Sequence, residues 1–320
     1  MTVGSSTTAT QVGSVVVGAR GLLGSAVVRA IRASEHFMLD DAPRVRWGSP
    51  VAATEDLSVI ASALAERSGP WAVFWCAGAG VNGMDRAAAD QEVAQFEAFL
   101  SRLAAVPHKG AGVVFLASSA GGVFAGSTGA PFSEASPAVP LGEYGRTKLR
   151  LEAALDTLDG HGSITSVVGR FSNIYGPGQD LDKQQGLISH LCRSTLHRRP
   201  MSIFVPLDTL RDYVFVDDAA RMALAVVRAH RSSSARSGLH VLASGSATTV
   251  ATVITSVAAV AGSKPLIVQG VSPLTSMQTH DLRLVPSPVA LRASEETPLA
   301  VGIGATWRDM FAQFVGARRG

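Results

Sequence analysis

Cysteine is scarce in this chain, with only Cys76 and Cys192 among 320 residues and no CxxC pair. A disulfide framework is therefore not expected, and a reducing compartment, the cytoplasm, is predicted. Charged residues are also few, at 17%, and the net charge of +3 is spread along the chain without a basic block. A nucleic-acid partner is not expected, because proteins that bind nucleic acid usually concentrate their positive charge.

Motifs for metal binding and for membrane insertion are absent as well. There is no HExxH motif and no cluster of Cys and His, so no metal site is predicted. The N-terminus lacks the basic start and apolar core of a signal peptide. The stretch Ser237–Ser263 carries no Asp, Glu, Lys or Arg and is long enough to span a membrane. Its His240, Gly245 and many Ser and Thr residues predict instead a strand, a turn and a helix that begins near Thr248. No membrane association is expected.

Apolar residues make up 47% of the chain, which is enough for a sizeable core. Short β-rich runs alternate with segments of helical apolar spacing. The predicted strands are Ser14–Val17, Arg44–Trp47, Ala72–Trp75, Gly112–Ser118 and Ser163–Arg170. The predicted helices are Leu23–Ile31, Leu57–Arg67, Arg86–Ala105 and Arg146–Leu158. Such alternation indicates an α/β fold with a doubly wound parallel sheet of the Rossmann type.

The regular alternation stops after residue 170, where a loop rich in Gly and Pro follows. We therefore expect a dinucleotide-binding domain over residues 12–170 and a smaller, mainly C-terminal substrate-binding region over 171–211 and 246–320. Parts of 212–245, namely Asp212–Val216 and His240–Ala243, are expected to complete the large sheet.

The segment GARGLLG places Gly18, Gly21 and Gly24 between the first predicted strand and the first predicted helix. Glycine allows the tight turn and lets a pyrophosphate approach the amide groups at the start of the helix. This position in the chain predicts a dinucleotide site, although it is also compatible with a plain turn. The other loop residues expected to contact the cofactor are Arg20, Leu22 and Leu23.

The sequence favours NADP over NAD as cofactor. NAD-binding proteins usually carry Asp or Glu at the end of the second strand. The run Arg44–Trp47, predicted to be that strand, has no carboxylate after it. Arg20 and Arg46 could instead bind a 2′-phosphate, or both could be solvated surface groups.

Tyr144 and Lys148 lie four residues apart at the start of a predicted helix, in YGRTK. This spacing places both side chains on one face. An ammonium beside a phenol lowers the pKa of the phenol, which could then transfer a proton at neutral pH during hydride transfer. The lysine could also bind the nicotinamide ribose. We therefore predict that Tyr144 and Lys148 are catalytic and also contact the cofactor.

Five segments together resemble the extended short-chain dehydrogenase/reductase family, in particular its sugar-nucleotide epimerase and dehydratase group. They are GARGLLG, SSAGGVF, YGRTKLRLE, RFSNIYGPGQ and RDYVFVDDAA, in the order that the family shows. The resemblance implies a nucleoside-diphosphate sugar as substrate and a homodimer formed through the helices near Arg86–Ala105 and Arg146–Leu158.

The resemblance also implies individual roles. Asp56 and Leu57 match the adenine-contacting pair, Ala77 and Gly78 the segment beneath the cofactor, and Phe171 a residue near the nicotinamide. The substrate contacts that it implies are Asn173, Gly186, Leu187, Phe204 and Arg211. The family's catalytic Ser or Thr matches Ala120, so that role falls to the neighbouring Ser119, with Ser118 as the alternative and a substrate contact. Both serines could also serve only a turn.

Three functions remain open. Ala120, Gly121 and Gly122 stand where dehydratases carry Asp and Glu, which disfavours dehydration. We expect a sugar-nucleotide epimerase, of the 4-epimerase type, that works by transient hydride transfer. The alternatives are an NADPH-dependent nucleotide-sugar ketoreductase and, in another class, a non-catalytic protein that binds the cofactor as a sensor.

Overall fold

The computed structural model describes residues 10–78, 84–159, 161–183, 185–271, 279–292 and 296–317. Residues 1–9, where no signal peptide is expected, and 318–320, at the end of the predicted substrate-binding region, lie outside them. The strands are β1 (Val12–Val17), β2 (Phe37–Leu39), β3 (Trp71–Trp75), β4 (Gly112–Ser119), β5 (Ile164–Phe171), β6 (Asn173–Tyr175), β7 (Met201–Ile203), β8 (Leu210–Phe215), β9 (Ser237–Leu242), β10 (Ala247–Thr249), β11 (Ile267–Gln269) and β12 (Asp281–Leu282). The helices are α1 (Leu22–Arg32), α2 (Pro50–Glu66), α3 (Arg86–Ala104), α4 (Ala120–Val123), α5 (Glu143–Asp156), α6 (Leu187–Leu196), α7 (Val216–Arg231), α8 (Val250–Ala261), α9 (Pro288–Leu291) and α10 (Leu299–Ala317).

Six parallel strands form the large sheet, in the order β2-β1-β3-β4-β5-β9. The strand order reverses between β1 and β3, where Val17 pairs with Trp75. In sheets of this kind, ligands bind beyond the carboxyl ends of the strands at such a reversal. The predicted doubly wound parallel sheet is confirmed. A ligand is expected at the carboxyl ends of β1 and β3, where the strand order reverses.

Both faces of the large sheet are covered by helices. Trp71, Val73 and Trp75 of β3 pack in the core on the side of α2, α3 and α5. The alternate residues Ala72 and Phe74 pack in the core on the side of α1 and α7. Because a strand's side chains alternate between faces, an unbroken apolar run such as WAVFW marks a strand that is buried on both sides.

The prediction of a strand at Arg44–Trp47 is wrong, since these residues form a loop before α2 and the second strand is β2. The apolar residues of the loop serve packing instead. Val45 is buried in the core, and the Trp47 ring meets the Trp75 ring edge-on, with centroids 6.2 Å apart. The alternation of apolar Val45 and Trp47 with arginine therefore gave the same pattern as a half-buried strand. The true second strand is followed by Asp40 and Asp41.

A smaller sheet is built around β8, which pairs with β6, β10 and β12. The expectation that Asp212–Val216 returns to the large sheet is therefore wrong, whereas His240–Leu242 does join it as part of β9. The buried carboxylate of Asp212 accepts hydrogen bonds from the Ser244 amide (3.0 Å), the Ser244 hydroxyl (3.0 Å) and the Gly245 amide (2.7 Å). These donors lie just after β9, so β8 is fixed beside the large sheet and not within it.

The uncharged stretch Ser237–Ser263 contains β9 and α8, as predicted. Thr249 caps α8 by accepting a hydrogen bond from the Thr252 amide at 3.1 Å. In the portions of the chain that the structure describes, no helix is both long enough and apolar enough to span a membrane.

Candidate functional site

The glycine loop connects β1 to α1 at the reversal of the large sheet. Gly18 has a φ of +88°, and a Cβ there would lie 2.6 Å from the Ala77 amide nitrogen. A Cβ at Gly24 would lie 2.2 Å from the Gly18 carbonyl oxygen. At Gly21 the nearest atom would be 3.5 Å away, which is an ordinary contact. Gly18 and Gly24 are thus required for packing, whereas Gly21 faces open space at the start of α1.

A cleft of about 1470 Å³ opens at the carboxyl edge of the sheet and extends toward α6 and β7. The size suits a ligand larger than a single nucleotide. Most of the predicted site residues line it: Leu22, Leu23, Ala77, Gly78, Ser118, Ser119, Tyr144, Lys148, Phe171, Asn173, Gly186, Leu187, Phe204 and Arg211.

Tyr144 lies in the first turn of α5 and is held against α4. A Cβ at Gly122 would lie 3.0 Å from Cδ1 and Cε1 of the Tyr144 ring, and a Cβ at Gly145 would lie 2.1 Å from the Gly122 carbonyl oxygen. The two helices approach this closely because both contact positions are glycine. Lys148, one turn later, lies with its Nζ 5.7 Å from the centre of the Tyr144 ring. The predicted pair is therefore brought together in the cleft.

Lys148 also forms a buried ion pair with Glu92 of α3, a residue that the sequence analysis missed. Its Nζ lies 3.3 Å from Glu92 Oε1. Burial by itself would lower the pKa of Lys148, but Glu92, followed by Tyr144 and Glu152, outweighs it and holds this pKa above its ordinary value. Lys148 is therefore an ammonium at neutral pH. Glu92 gave no distinctive signal in the sequence, because a glutamate in the second turn of a helix is common.

The two candidate serines differ in what their hydroxyls contact. Ser118 is buried and donates a hydrogen bond to Glu152, whose carboxylate also binds Arg170 with Oε2 2.6 Å from Nη2. Ser119 is only partly buried, and its hydroxyl accepts a hydrogen bond from the Gly122 amide at 3.2 Å, capping α4. Ala120 is fully buried. Ser118 and Ser119 both line the cleft, and the capping of α4 by Ser119 matches the turn role that the sequence also allowed.

Seven residues predicted to bind the cofactor do not line the cleft: Gly18, Arg20, Gly21 and Gly24 of the glycine loop, and Arg46, Asp56 and Leu57. Arg46 binds the carboxylate of Asp56 through Nε (2.9 Å) and Nη2 (2.8 Å), and it approaches Glu55 at 3.4 Å. Leu57 is buried in the core beneath α2. In this conformation the structure does not bring Arg46, Asp56 and Leu57 to the site. Arg20 is exposed in the glycine loop.

The far end of the cleft is formed by residues of the predicted substrate-binding region. Arg211 on β8 donates a hydrogen bond from Nη1 to the Leu210 carbonyl oxygen at 2.8 Å. Burial lowers the pKa of Arg211, and Tyr213 and Asp281 offset part of this effect. Asn173 Nδ2 donates to the Asp212 carbonyl oxygen at 2.8 Å. Phe204, after β7, is 47% exposed although it is a large apolar ring. Gly186 and Leu187 begin α6.

A group of basic residues before, on and after α6 lines the same end of the cleft and was also missed: Lys183, His190, Arg193, His197 and Arg199. His190 Nε2 lies 2.9 Å from the Lys183 carbonyl oxygen, so it carries the proton and donates it. Nδ1 then accepts a hydrogen bond from Arg193 Nη2 at 3.3 Å. The i, i+3, i+7 spacing of His190, Arg193 and His197 places them on one helical face and could have been noticed in the sequence. Among the residues that the structure describes, no group of side chains could hold a metal ion.

Comparison with known proteins gives partial matches to curated relatives. An Azospirillum brasilense UDP-glucose 4-epimerase is 34% identical over 121 residues, which is 34% of this chain and 34% of that protein. The Escherichia coli dTDP-4-dehydro-6-deoxyglucose reductase is 32% identical over 100 residues, which is 31% of this chain and 32% of that protein. Each match spans only about a third of the relative's length.

Solved structures match the fold over almost the whole chain. The Thermotoga maritima UDP-glucose 4-epimerase with UDP-glucose has a TM-score of 0.76 at 18% identity, covering 94% of this chain and 99% of that one. The Bacillus cereus UDP-glucuronic acid 4-epimerase with UDP-glucuronic acid and NAD has a TM-score of 0.74 at 15% identity, with the same coverage of both chains. The family model described as "NAD dependent epimerase/dehydratase family" matches residues 14–238. Since this range is most of the chain, the protein belongs to the NAD dependent epimerase/dehydratase family.

Proposed function

We propose that this protein is a nucleoside-diphosphate-sugar 4-epimerase. The observation that carries the proposal is the presence of Tyr144 and Lys148 in a cleft that begins at the glycine loop and ends at a cluster of basic residues. One end of such a cleft suits a dinucleotide and the other suits the diphosphate of a sugar nucleotide. The reacting sugar would then lie between them, beside Tyr144.

The glycine loop has the features that a dinucleotide requires. Gly21 caps α1 without a side-chain hydrogen bond, and it has space on its outer side. The first amide groups of α1 therefore remain for a pyrophosphate. Leu22, Leu23, Ala77 and Gly78 would line the cofactor, and Phe171 would contact the nicotinamide. When bound, the cofactor supplies the acceptor and donor of a hydride.

The chain's own residues would move the proton and hold the sugar. Tyr144 would accept the proton of the sugar hydroxyl through its phenol oxygen and later return it to the keto oxygen. Lys148, held as an ammonium by Glu92, would favour the ionised form of the phenol. Ser119 would donate a hydrogen bond to the same sugar oxygen. This role of Ser119 compensates for Ala120 at the family's usual position.

Arg211 would bind the diphosphate, because its guanidinium reaches the cleft while its Nη1 is anchored on the backbone. Asn173 would contact a substrate phosphate, and Gly186 and Leu187 would contact the nucleotide. An exposed apolar ring beside a cleft is well placed to stack on a base, which is the role proposed for Phe204. The solved relatives that hold UDP-sugars make a UDP-sugar the first substrate to test.

We propose NAD as the cofactor, in preference to the NADP that the sequence favoured. Two premises of that preference differ in the structure. The second strand, β2, is followed by Asp40, which binds Arg67, and by the exposed Asp41. Acidic residues at this place usually accompany NAD. Arg46, the candidate for a 2′-phosphate, binds Asp56 instead. Relatives of similar fold contain NAD.

The decisive experiment uses purified protein with no added cofactor. Any bound dinucleotide is released by heat and identified by mass, and the protein is then incubated with UDP-glucose, UDP-glucuronic acid and UDP-N-acetylglucosamine in turn. We expect bound NAD and conversion of at least one sugar into its C4 epimer. Tyr144→Phe should slow this conversion by about a thousandfold while retaining NAD. Unchanged turnover in the variant would reject the mechanism.

The second candidate is a nucleotide-sugar ketoreductase, which the match to the Escherichia coli reductase favours. A reductase would oxidise one added NADPH or NADH for each sugar reduced, whereas an epimerase would consume none. Stoichiometric loss of nicotinamide absorbance with a 4-keto sugar nucleotide would therefore establish the reductase. Tight cofactor binding without turnover of any sugar nucleotide would indicate a sensor.

We further propose a homodimer in which α3 and α5 of two chains meet. The two helices pack on each other and are linked at the surface by the pair Arg150–Asp90, with Nη1 2.7 Å from Oδ1. Light scattering should give twice the mass of one chain, and Arg150→Glu should lower it. A monomer at micromolar concentration would contradict the proposal. The cytoplasmic location stays a prediction.

A further inference from the structure

The ion pair between Lys148 and Glu92 is buried directly beneath the cleft. The side chains are 7% and 11% exposed, and Glu92 Oε1 lies 3.3 Å from Lys148 Nζ. Gly78 covers the pair: a Cβ there would lie 3.0 Å from Glu92 Oε1 and 3.2 Å from Lys148 Nζ. Since Gly78 and Lys148 both line the cleft, the carboxylate lies just behind the surface where a cofactor would rest.

Every other ionisable group that acts on Lys148 in the described residues is compensated or neutral. Glu152 on α5 is bound by Arg170 and Ser118. Cys76 on β3 is a neutral thiol, because burial raises its pKa to about 12 despite the opposing charge of Lys148. Tyr144 is the group on which the ammonium acts. Glu92 on α3 is therefore the one carboxylate whose charge is balanced only by Lys148.

Glu92 is poorly shielded by solvent. Its second oxygen, Oε2, is buried and has no hydrogen-bond partner among the described residues. A carboxylate in such an environment exerts a stronger field than one in water, because the effective dielectric constant is lower. The negative field of Glu92 stabilises the ammonium of Lys148. At Tyr144 it opposes the field of that ammonium, which by itself would lower the pKa of the phenol.

We propose that Glu92 is a positioning residue that holds Lys148 as an ammonium and offsets part of its charge at Tyr144. Glu92 thereby sets the pH range in which the pair transfers protons. The inference rests on the proposed function only in so far as Tyr144 and Lys148 act on a substrate. Removing the negative charge should make both the phenol and the ammonium lose their protons at lower pH, so the whole pH profile should move toward acid.

The test is an absorbance titration of tyrosinate in the cofactor-free protein. The chain has three tyrosines. Burial raises the pKa of Tyr213 to about 12 and raises that of Tyr175 further. Tyrosinate that forms below about pH 11 therefore reports Tyr144, and Tyr144→Phe should remove that signal. Glu92→Gln keeps the shape and the hydrogen bond and removes only the charge. It should lower the midpoint by about one pH unit.

Glu97→Gln is the matched control, since Glu97 lies on the same helix with an exposed side chain. Its midpoint should equal that of the unmodified protein. A folded Glu92→Gln variant whose midpoint lies within about 0.3 pH units of the unmodified protein would overturn the proposal.

Glu92→Gln leaves a buried ammonium without a charged partner and could fail to fold. The double variant Glu92→Gln with Lys148→Met removes both charges and avoids this problem. Because Glu92 is proposed to offset part of the ammonium's field at Tyr144, the double variant should raise the midpoint by less than the rise of about one pH unit that removal of an uncancelled ammonium would give. A rise of more than about one unit, the effect of an uncancelled ammonium, would overturn the proposal.

The turnover profile separates this proposal from the proposed function. With an active sugar nucleotide, the optimum of Glu92→Gln should move toward acid by the same amount as the absorbance midpoint. A shifted midpoint in a protein that epimerises no sugar nucleotide would support the role of Glu92 and reject the 4-epimerase. Epimerisation by a Glu92→Gln variant whose midpoint and optimum are both unshifted would support the 4-epimerase and reject the role of Glu92.

Discussion

The proposed cofactor half and the proposed substrate half of the cleft are built in different ways. In the first, close backbone contacts decide the geometry: Gly18 against Ala77, Gly24 against Gly18, and Gly122 against Tyr144 and Gly145. In the second, the strands are short, and charged side chains such as Arg211 and Arg193 form the surface. One added methyl group should therefore damage the first half, whereas the loss of one charge should damage the second.

The largest effect is expected from Gly24→Ala. The added Cβ would lie 2.2 Å from the Gly18 carbonyl oxygen, and a backbone atom cannot move aside cheaply. We expect a loss of about 3 kcal/mol in the free energy of unfolding, measured by urea denaturation. A loss below about 1 kcal/mol would show that the loop can relax and that backbone contacts do not decide its geometry.

Gly21→Ala is the control for this substitution. Its Cβ would meet only an ordinary contact at 3.5 Å, and the φ of −72° suits alanine. Stability should therefore change by less than about 1 kcal/mol. Because the methyl group would project toward the proposed pyrophosphate, NAD affinity should still fall. Calorimetric titration with NAD would measure the difference between the two variants.

In the substrate half, the largest effect is expected from Arg211→Gln. Loss of the partly buried guanidinium that we propose binds the diphosphate should lower kcat/KM by about a hundredfold, mainly through KM, and leave NAD affinity unchanged. Arg283→Gln removes an equal charge from a residue that is paired with Asp281 and does not line the cleft. It should change kcat/KM less than twofold. Equal effects of both substitutions would mean that only the overall charge matters.

Smaller effects are expected at the two serines, which lie where the halves meet. Ser119→Ala should lower kcat about tenfold, because it removes the hydroxyl proposed to bind the sugar oxygen. Ser118→Ala removes the hydrogen bond to Glu152 and should cost about 1 kcal/mol of stability with little change in kcat. Steady-state kinetics and thermal unfolding of both variants separate the roles. The opposite result would assign the sugar contact to Ser118.

Sequence reasoning succeeded where backbone periodicity and glycine spacing carry the information. The strands at residues 14–17, 72–75 and 112–118, and the helix that holds Tyr144 and Lys148, were predicted within a few residues. It failed at Arg44–Trp47, because Val45 and Trp47 pack from a loop with the same alternation that a strand would show. The three-residue strand β2, with its exposed Met38, carries too little pattern to be recognised.

The candidate site was predictable only in part. Motif residues such as Tyr144 and Arg211 were identified because their local sequence is distinctive. Glu92 was not, since its meaning depends on a contact with Lys148, which lies 56 residues away. The proposal of Ser119 over Ser118 also uses the structure, because the two hydroxyls have different hydrogen-bond partners, Glu152 for Ser118 and the Gly122 amide for Ser119.

The buried carboxylate of Asp212 limits how far the neighbouring backbone of Arg211 can move. Its carboxylate accepts three hydrogen bonds from Ser244 and Gly245. Loss of any one of these bonds would leave a buried carboxylate with an unsatisfied oxygen, which costs free energy. The backbone at Arg211 is consequently held both by the segment that follows β9 and by its own small sheet, in which it pairs with Thr248 and Leu282. If Arg211 binds the diphosphate as proposed, a new substrate specificity would arise most readily by exchanging side chains on α6, while the distance between Arg211 and Tyr144 stays constant.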